Sequence, residues 1–155
     1  MNDALSTYLD DHLAGAAFAI ELLEHLRDTR ENTTLGTFAA HVLEEVVADR
    51  DVLKGLCDQL GGNSLLKETV GRLAEGATRL KLRLSTDTDF GEFETLEILS
   101  LGVVGKQKLW SALAEIAPLV PQLGDLNFER LMRRAQDQHD QLDAFRISAA
   151  KKALT

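Results

Sequence analysis

The sequence predicts an all-α protein folded as one helical bundle, and three observations support this prediction. Leucine and alanine are the most frequent of the 155 residues, and only two prolines interrupt the chain. Apolar residues recur at intervals of three and four, which places them on one face of a helix. Glycine, proline and capping residues divide the chain into five such segments, and no segment shows the alternation of a half-buried strand.

The first predicted helix covers residues 5–29, and Asp3 is a candidate N-cap at its start. Its apolar face includes one histidine, His12. The polar stretch that follows this helix is typical of a loop. Thr33 or Thr34 in this loop would cap the next helix, because a threonine hydroxyl can accept a hydrogen bond from a free N–H of the first turn.

The second predicted helix covers residues 35–60 and ends at Gly61-Gly62, a strong stop signal. Its apolar face is formed by Leu35, Phe38, Ala39, Val42, Val46, Leu53, Leu56, Cys57 and Leu60. Asp49 lies in the middle of this face, and Glu45 lies on its flank. Because a carboxylate is costly to bury among apolar residues unless a partner compensates it, Asp49 requires a partner on another helix.

The third predicted helix, residues 64–84, has only a narrow apolar stripe and would belong to a connection between two pairs of long helices. The fourth covers residues 91–117. Asp89 precedes it with a glutamate three residues later, which is the spacing of a capping box. Pro118 ends the helix because proline cannot continue one. Lys106 lies within the apolar face of this fourth helix.

The fifth predicted helix covers residues 126–153 and is opened by Gly124-Asp125 or by Asn127. Its apolar face includes Gln138. Arg134 is apart in helical phase from the other arginines of the same turn, and we interpret all of them as a solvated surface. Each of the four long helices therefore contributes one polar residue to its apolar face.

These polar residues would form one layer if the long helices make two antiparallel hairpins joined by a crossover. Asp49 and Lys106 then lie at the same depth, about 21 Å from one end at the rise of an α-helix, and Gln138 lies at a similar depth. His12 lies about 26 Å from that end. The sequence thus predicts a buried polar layer of His12, Glu45, Asp49, Lys106 and Gln138. Within it we expect Lys106 to pair with Asp49, with His12 or Gln138 completing the hydrogen bonding and Glu45 as a second acceptor.

This arrangement resembles the ferritin-like four-helix-bundle proteins, and a short helix in the crossover resembles uncharacterised bacterial branches of that group. The resemblance implies an up-down four-helix bundle with an additional short helix in the crossover. The di-iron site of the family uses Glu-x-x-His pairs, and none of the four histidines here has a glutamate three residues before it. The nearest fragment, Gln136-Asp-Gln-His139, carries an amide in place of the carboxylate. Lys106 would also place an ammonium group where the metal should sit, so we expect the fold without a di-iron centre.

Composition excludes several classes of function. The net charge of −8 argues against nucleic-acid binding, which requires a basic surface. No uncharged run is long enough to span a membrane, and the amino terminus lacks the basic and apolar regions of a signal peptide. Cys57 is the only cysteine, so neither a disulfide framework nor a thiolate metal cluster is expected. These features predict a single-domain cytoplasmic protein of bacterial type.

Three hypotheses about function remain open. The first is a non-enzymatic ferritin-like bundle, without catalytic residues or cofactor, whose buried salt-bridged layer replaces a di-iron centre. The second is a metal-binding or oxidative-stress protein in which His12, Glu45 and Asp49 hold a single Fe, Mn or Zn ion, since histidine and carboxylates suit these metals. The third is a small-molecule binder in which the polar layer lines a pocket between helices. The sequence favours the first hypothesis.

The fourth predicted helix has more apolar surface than one bundle seam needs. The residues outside its main stripe are Ile98, Leu101, Leu109 and Ile116. The crossover helix could cover part of this surface and leave the rest for a second copy of the chain. We therefore expect a homodimer.

Overall fold

The computed structural model describes residues 3–60, 84 and 88–155 of the chain. These residues include four long α-helices: α1 (Asp3–Thr29), α2 (Thr34–Gln59), α3 (Asp89–Ile116) and α4 (Phe128–Ala153). Two short 3-10 helices, Ala117–Leu119 and Pro121–Leu123, join α3 to α4. Of the described residues, 89% are helical and none lies in a strand, which confirms the predicted all-α four-helix bundle.

The four long helices begin and end within two residues of their predicted limits. Three other predictions lie outside the described residues: the capping side chain of Asp3, the stop at Gly61-Gly62, and the crossover helix at residues 64–84. The last of these residues, Leu84, is described; it is buried and is not helical.

Short polar side chains begin three of the helices. Thr33 caps α2, and Asn127 caps α4; each is one of the two alternatives predicted for its helix. The prediction that Asp89 caps α3 is wrong by one residue, because the Thr88 hydroxyl accepts the hydrogen bond from Gly91 N–H at 3.0 Å. Asp89 instead occupies the first turn, where its negative charge interacts favourably with the positive end of the helix dipole.

The helices form two antiparallel hairpins, α1 with α2 and α3 with α4, and α1 also contacts α3 while α2 contacts α4. Arg30, just after α1, pairs with Glu92 at the start of α3. Phe38 near the start of α2 stacks on Phe145 near the end of α4, with ring centroids 4.6 Å apart. Consequently α1 and α4 run in one direction, α2 and α3 run in the other, and α2 ends at the end of the bundle opposite to where α3 begins.

The core consists of two apolar clusters that meet at mid-bundle. The first includes Leu26, Leu35, Phe38, Val46, Leu96, Val103 and Leu142. The second includes Leu9, Leu53, Leu56, Trp110, Leu113, Leu123 and Leu131. On α2 and α3 the boundary between the clusters falls at Asp49 and Lys106, so these two charged residues lie where the apolar core is interrupted.

The apolar surface of α3 is smaller than the sequence predicted. Leu109 is buried in the second cluster, so its assignment to the outer surface is wrong; α3 packs against two neighbours and buries a wider face than one seam. Ile98 and Ile116 are partly buried against the core. Leu101 alone among the four residues is exposed, at 67%. None of the described helices combines the length and the apolar content needed to cross a membrane.

Candidate functional site: an ionic cluster beside a central cavity

Asp49 of α2 and Lys106 of α3 form an ion pair inside the bundle. Lys106 Nζ lies 2.6 Å from Asp49 Oδ2, and the two side chains are 14% and 3% exposed. The sequence predicted this contact from the equal depth of the two residues. Burial lowers the pKa of Lys106, and the adjacent Asp49 carboxylate opposes that shift by favouring the charged ammonium group.

Gln138 of α4 connects this pair to Glu45. Lys106 Nζ donates to Gln138 Oε1, and Gln138 Nε2 donates to Glu45 Oε2 at 2.8 Å. The buried amide therefore uses its acceptor and one donor within the same network. Glu45 was expected to be a second acceptor of the layer. In the structure it accepts from Gln138, because Glu45 lies one turn from Asp49 on the flank of α2 rather than on its buried face.

Arg134 is the member of the site that sequence reasoning missed. Its Nη2 donates to Asp49 Oδ1, so each oxygen of this carboxylate accepts from a different cation. The assignment of Arg134 to a solvated surface is therefore wrong. The signal that could have located it is the spacing of four residues to Gln138, which places both on the same side of α4. We call Glu45, Asp49, Lys106, Arg134 and Gln138 the ionic cluster.

His12 lies apart from the ionic cluster. Its ring is in edge contact with Tyr8, with centroids 4.7 Å apart, and burial lowers its pKa. Within the described part of the chain, no hydrogen bond joins His12 to the cluster. Of the two predicted partners for the ion pair, Gln138 makes the hydrogen bond and His12 does not.

The alternative metal site of His12, Glu45 and Asp49 is not formed. Among the described residues, no group of three or more histidine, cysteine, aspartate or glutamate side chains is placed to hold a metal ion. Both oxygens of Asp49 already bind cationic side chains, and Glu45 accepts from an amide. A metal ion would have to displace these partners.

A cavity of about 230 Å³ lies beside the ionic cluster, mainly between α1, α2 and α3. Its apolar wall includes Leu23, Val42, Val46, Leu53, Leu99 and Val103. His12, Asp49 and Lys106 also line it, which brings three residues of the predicted polar layer to one space. Glu45 and Gln138 are not part of this wall.

Three glycines line the cavity, Gly15 on α1 and Gly102 and Gly105 on α3. A methyl group placed on any of them would meet no other atom within 4 Å, so close helix packing does not require glycine there. Glycine inside a helix is less stable than alanine by roughly 0.5–1 kcal/mol. Gly15 and Gly102 are exposed to solvent, so the cavity wall reaches the surface between α1 and α3.

A second polar feature lies nearer the start of α1. Asp10 is 2% exposed, and neither of its carboxylate oxygens has a hydrogen-bond partner among the described residues. Burial raises its pKa, with a further contribution from Asp11. Burial, then the charge of Asp10, raises the pKa of the Cys57 thiol to about 11. Cys57 is therefore a protonated, unreactive core residue at neutral pH.

Comparison of this chain with protein-family models, with curated proteins and with solved structures finds no match.

Proposed function

We propose that this protein binds a small, mostly apolar molecule in the central cavity. The observation that carries the proposal is the 230 Å³ space itself, which is lined mainly by apolar side chains and by a few polar ones. A cavity of this kind is the default ligand site of a helical bundle. An apolar cavity of about 150 Å³ already accommodates benzene, so this one has room for a ring with a short substituent.

The proposed role is non-enzymatic. The polar groups of the ionic cluster bond to one another, and none is arranged as a nucleophile with its activating base. We further propose that the chain is a ferritin-like bundle in which the ionic cluster replaces the di-iron centre. The order and direction of the four helices and the mid-height position of the cluster support this relationship.

Self-association remains a second, separate proposal. Phe90 and Leu101 lie three turns apart on α3 and are both exposed, at 51% and 67%. A pair of apolar residues on one helix face is a small contact for a second copy of the chain. Sedimentation analysis of the protein and of a Leu101→Glu variant tests it, and a monomer at micromolar concentration contradicts it.

The ligand-binding proposal is tested by titrating the protein with benzene and indole while recording methyl NMR spectra. We expect saturable shifts at Val42, Val46 and Val103, whose side chains line the cavity. Ala16→Leu should abolish these shifts because Ala16 also lines the cavity. The matched control is Ala17→Leu, since Ala17 is exposed on the same helix and should leave binding unchanged. Absence of any shift up to the solubility limit of both probes would refute the proposal.

A further inference from the structure

The charged side chains that line the cavity balance one another, because Asp11 and Asp49 are negative and Arg50 and Lys106 are positive. In the ionic cluster, Lys106 and Arg134 both donate to Asp49, and Gln138 links Lys106 to Glu45. The cluster thus holds two negative and two positive side chains. The ionic cluster is therefore neutral as a unit. A charged ligand would upset this balance and bring an additional charge into the interior, and burial of such a charge is costly.

Two residues that line the cavity carry an N–H donor without a partner among the described residues, and they are Trp110 and Lys106. The indole Nε1 of Trp110 is buried and makes no hydrogen bond. A lysine ammonium group has three N–H donors, and Lys106 uses one for Asp49 and one for Gln138. Lys106 also lines the cavity. The two oxygens of Asp49 already accept from cations, so the part of the wall formed by Asp49 and Lys106 offers a donor more readily than an acceptor.

We propose that the cavity selects an uncharged, mostly apolar ligand that carries one hydrogen-bond acceptor, such as a carbonyl oxygen, which accepts from Lys106. This inference rests on the proposed function. The apolar wall contributes most of the affinity, because burial of apolar surface is the dominant favourable term. The single polar contact fixes the orientation of the ligand, with its oxygen toward α3 and its hydrocarbon part toward the wall formed by Val42 and Val46.

Three ligands of nearly equal shape separate the possibilities: acetophenone, α-methylstyrene and benzoate. Acetophenone carries a neutral carbonyl, α-methylstyrene replaces its oxygen with a carbon, and benzoate replaces its methyl group with a charged oxygen. Affinities are measured by NMR titration at neutral pH. We expect acetophenone to bind roughly ten times more tightly than α-methylstyrene, as one hydrogen bond to a charged donor implies, and benzoate to bind most weakly.

The outcomes separate this inference from the proposed function. Equal or tighter binding of α-methylstyrene overturns the role of Lys106 but leaves a ligand-binding cavity. Tightest binding of benzoate shows selection of an anion and overturns the inference in the same way. If none of the three binds, both the inference and the proposed function fail.

A variant tests the donor directly. Lys106→Met should remove the preference for acetophenone over α-methylstyrene while retaining binding of both. The control is Lys108→Met, because Lys108 is exposed on the same helix and should leave the preference intact. If Lys106→Met does not fold, the double variant Lys106→Met/Asp49→Leu removes the donor together with its main partner. Retention of the ketone preference in the folded variant refutes the inference.

Discussion

Replacement of Lys106 and Asp49, singly and together, tests whether the ionic cluster acts as a unit. In the single variant Lys106→Met, Asp49 keeps Arg134 as its partner, but Gln138 Oε1 loses its donor. In Asp49→Leu, two cations lose the carboxylate that holds both of them. The structure therefore predicts unequal effects, with the loss of Asp49 more damaging than the loss of Lys106.

The magnitudes follow from what each change leaves unpaired. Lys106→Met should lower the free energy of unfolding by about 1–3 kcal/mol, the cost of leaving a buried polar group unsatisfied. Asp49→Leu should lower it by about 3–5 kcal/mol, because buried charge loses its partner. The double variant should be no less stable than Asp49→Leu alone, because it also lacks the Lys106 charge that would otherwise be left without Asp49 as its partner. The coupling energy is then at least as large as the cost of Lys106→Met.

Urea unfolding followed by far-ultraviolet circular dichroism measures these values. The dependence of the unfolding free energy on urea concentration should have a similar slope in all variants, which checks that unfolding is two-state. Lys108→Met is the matched control, because Lys108 is an exposed lysine on the same helix and its loss should change stability by less than about 0.5 kcal/mol. Strictly additive effects of the two single variants, or equal effects of Lys106→Met and Lys108→Met, would refute the reasoning.

Three further predictions concern the cavity, pH and the thiol. Gly102→Ala and Gly55→Ala should each raise the free energy of unfolding by about 0.4–1 kcal/mol, because both glycines are helical with open space around them. Only Gly102→Ala should also slow the association of a ligand, which is measured from NMR line shapes. Burial lowers the pKa of His12 below its ordinary 6.5, so the unfolded chain takes up a proton there before the folded protein does. The free energy of unfolding should therefore fall as the pH drops below about 6.5. This fall should be smaller in His12→Gln than in the control variant His25→Gln, because His25 is exposed. Cys57, with its pKa raised to about 11, should react with a thiol reagent only after unfolding, and rapid reaction of the native protein would contradict its burial.

The contact between Asp49 and Lys106 was predictable because helical phase and rise fix which face a residue occupies and how far along the helix it lies. The role of Arg134 was missed despite its spacing of four residues to Gln138, because a long side chain that starts at the edge of a helix face can still reach an interior partner. Phase describes the position of the Cα atom and not the reach of the guanidinium group. The burial of Leu109 was missed for a related reason, since the width of the buried face depends on how many helices pack against it.

A pocket lined by the polar layer was one of three hypotheses from the sequence, but the sequence alone could not decide whether the cavity exists. A cavity forms where side chains from three helices leave part of their shared volume unfilled. The periodicity of apolar residues within one helix does not show how the helices pack together. Gly15, Gly102 and Gly105 lie within predicted helices, where the sequence marks them only as poor helix formers. Their common position on one wall becomes apparent only when α1 and α3 are placed side by side.

The ionic cluster also determines the alignment of the helices along the bundle. Leucine and valine side chains accept many neighbours, so an apolar seam shifted by one turn would still bury most of its surface. A shift of one turn moves α3 by about 5.4 Å relative to α2, and the 2.6 Å contact between Lys106 and Asp49 could not survive it. The cluster thus penalises shifted arrangements that the apolar residues alone would tolerate, and it selects one alignment among several of similar burial.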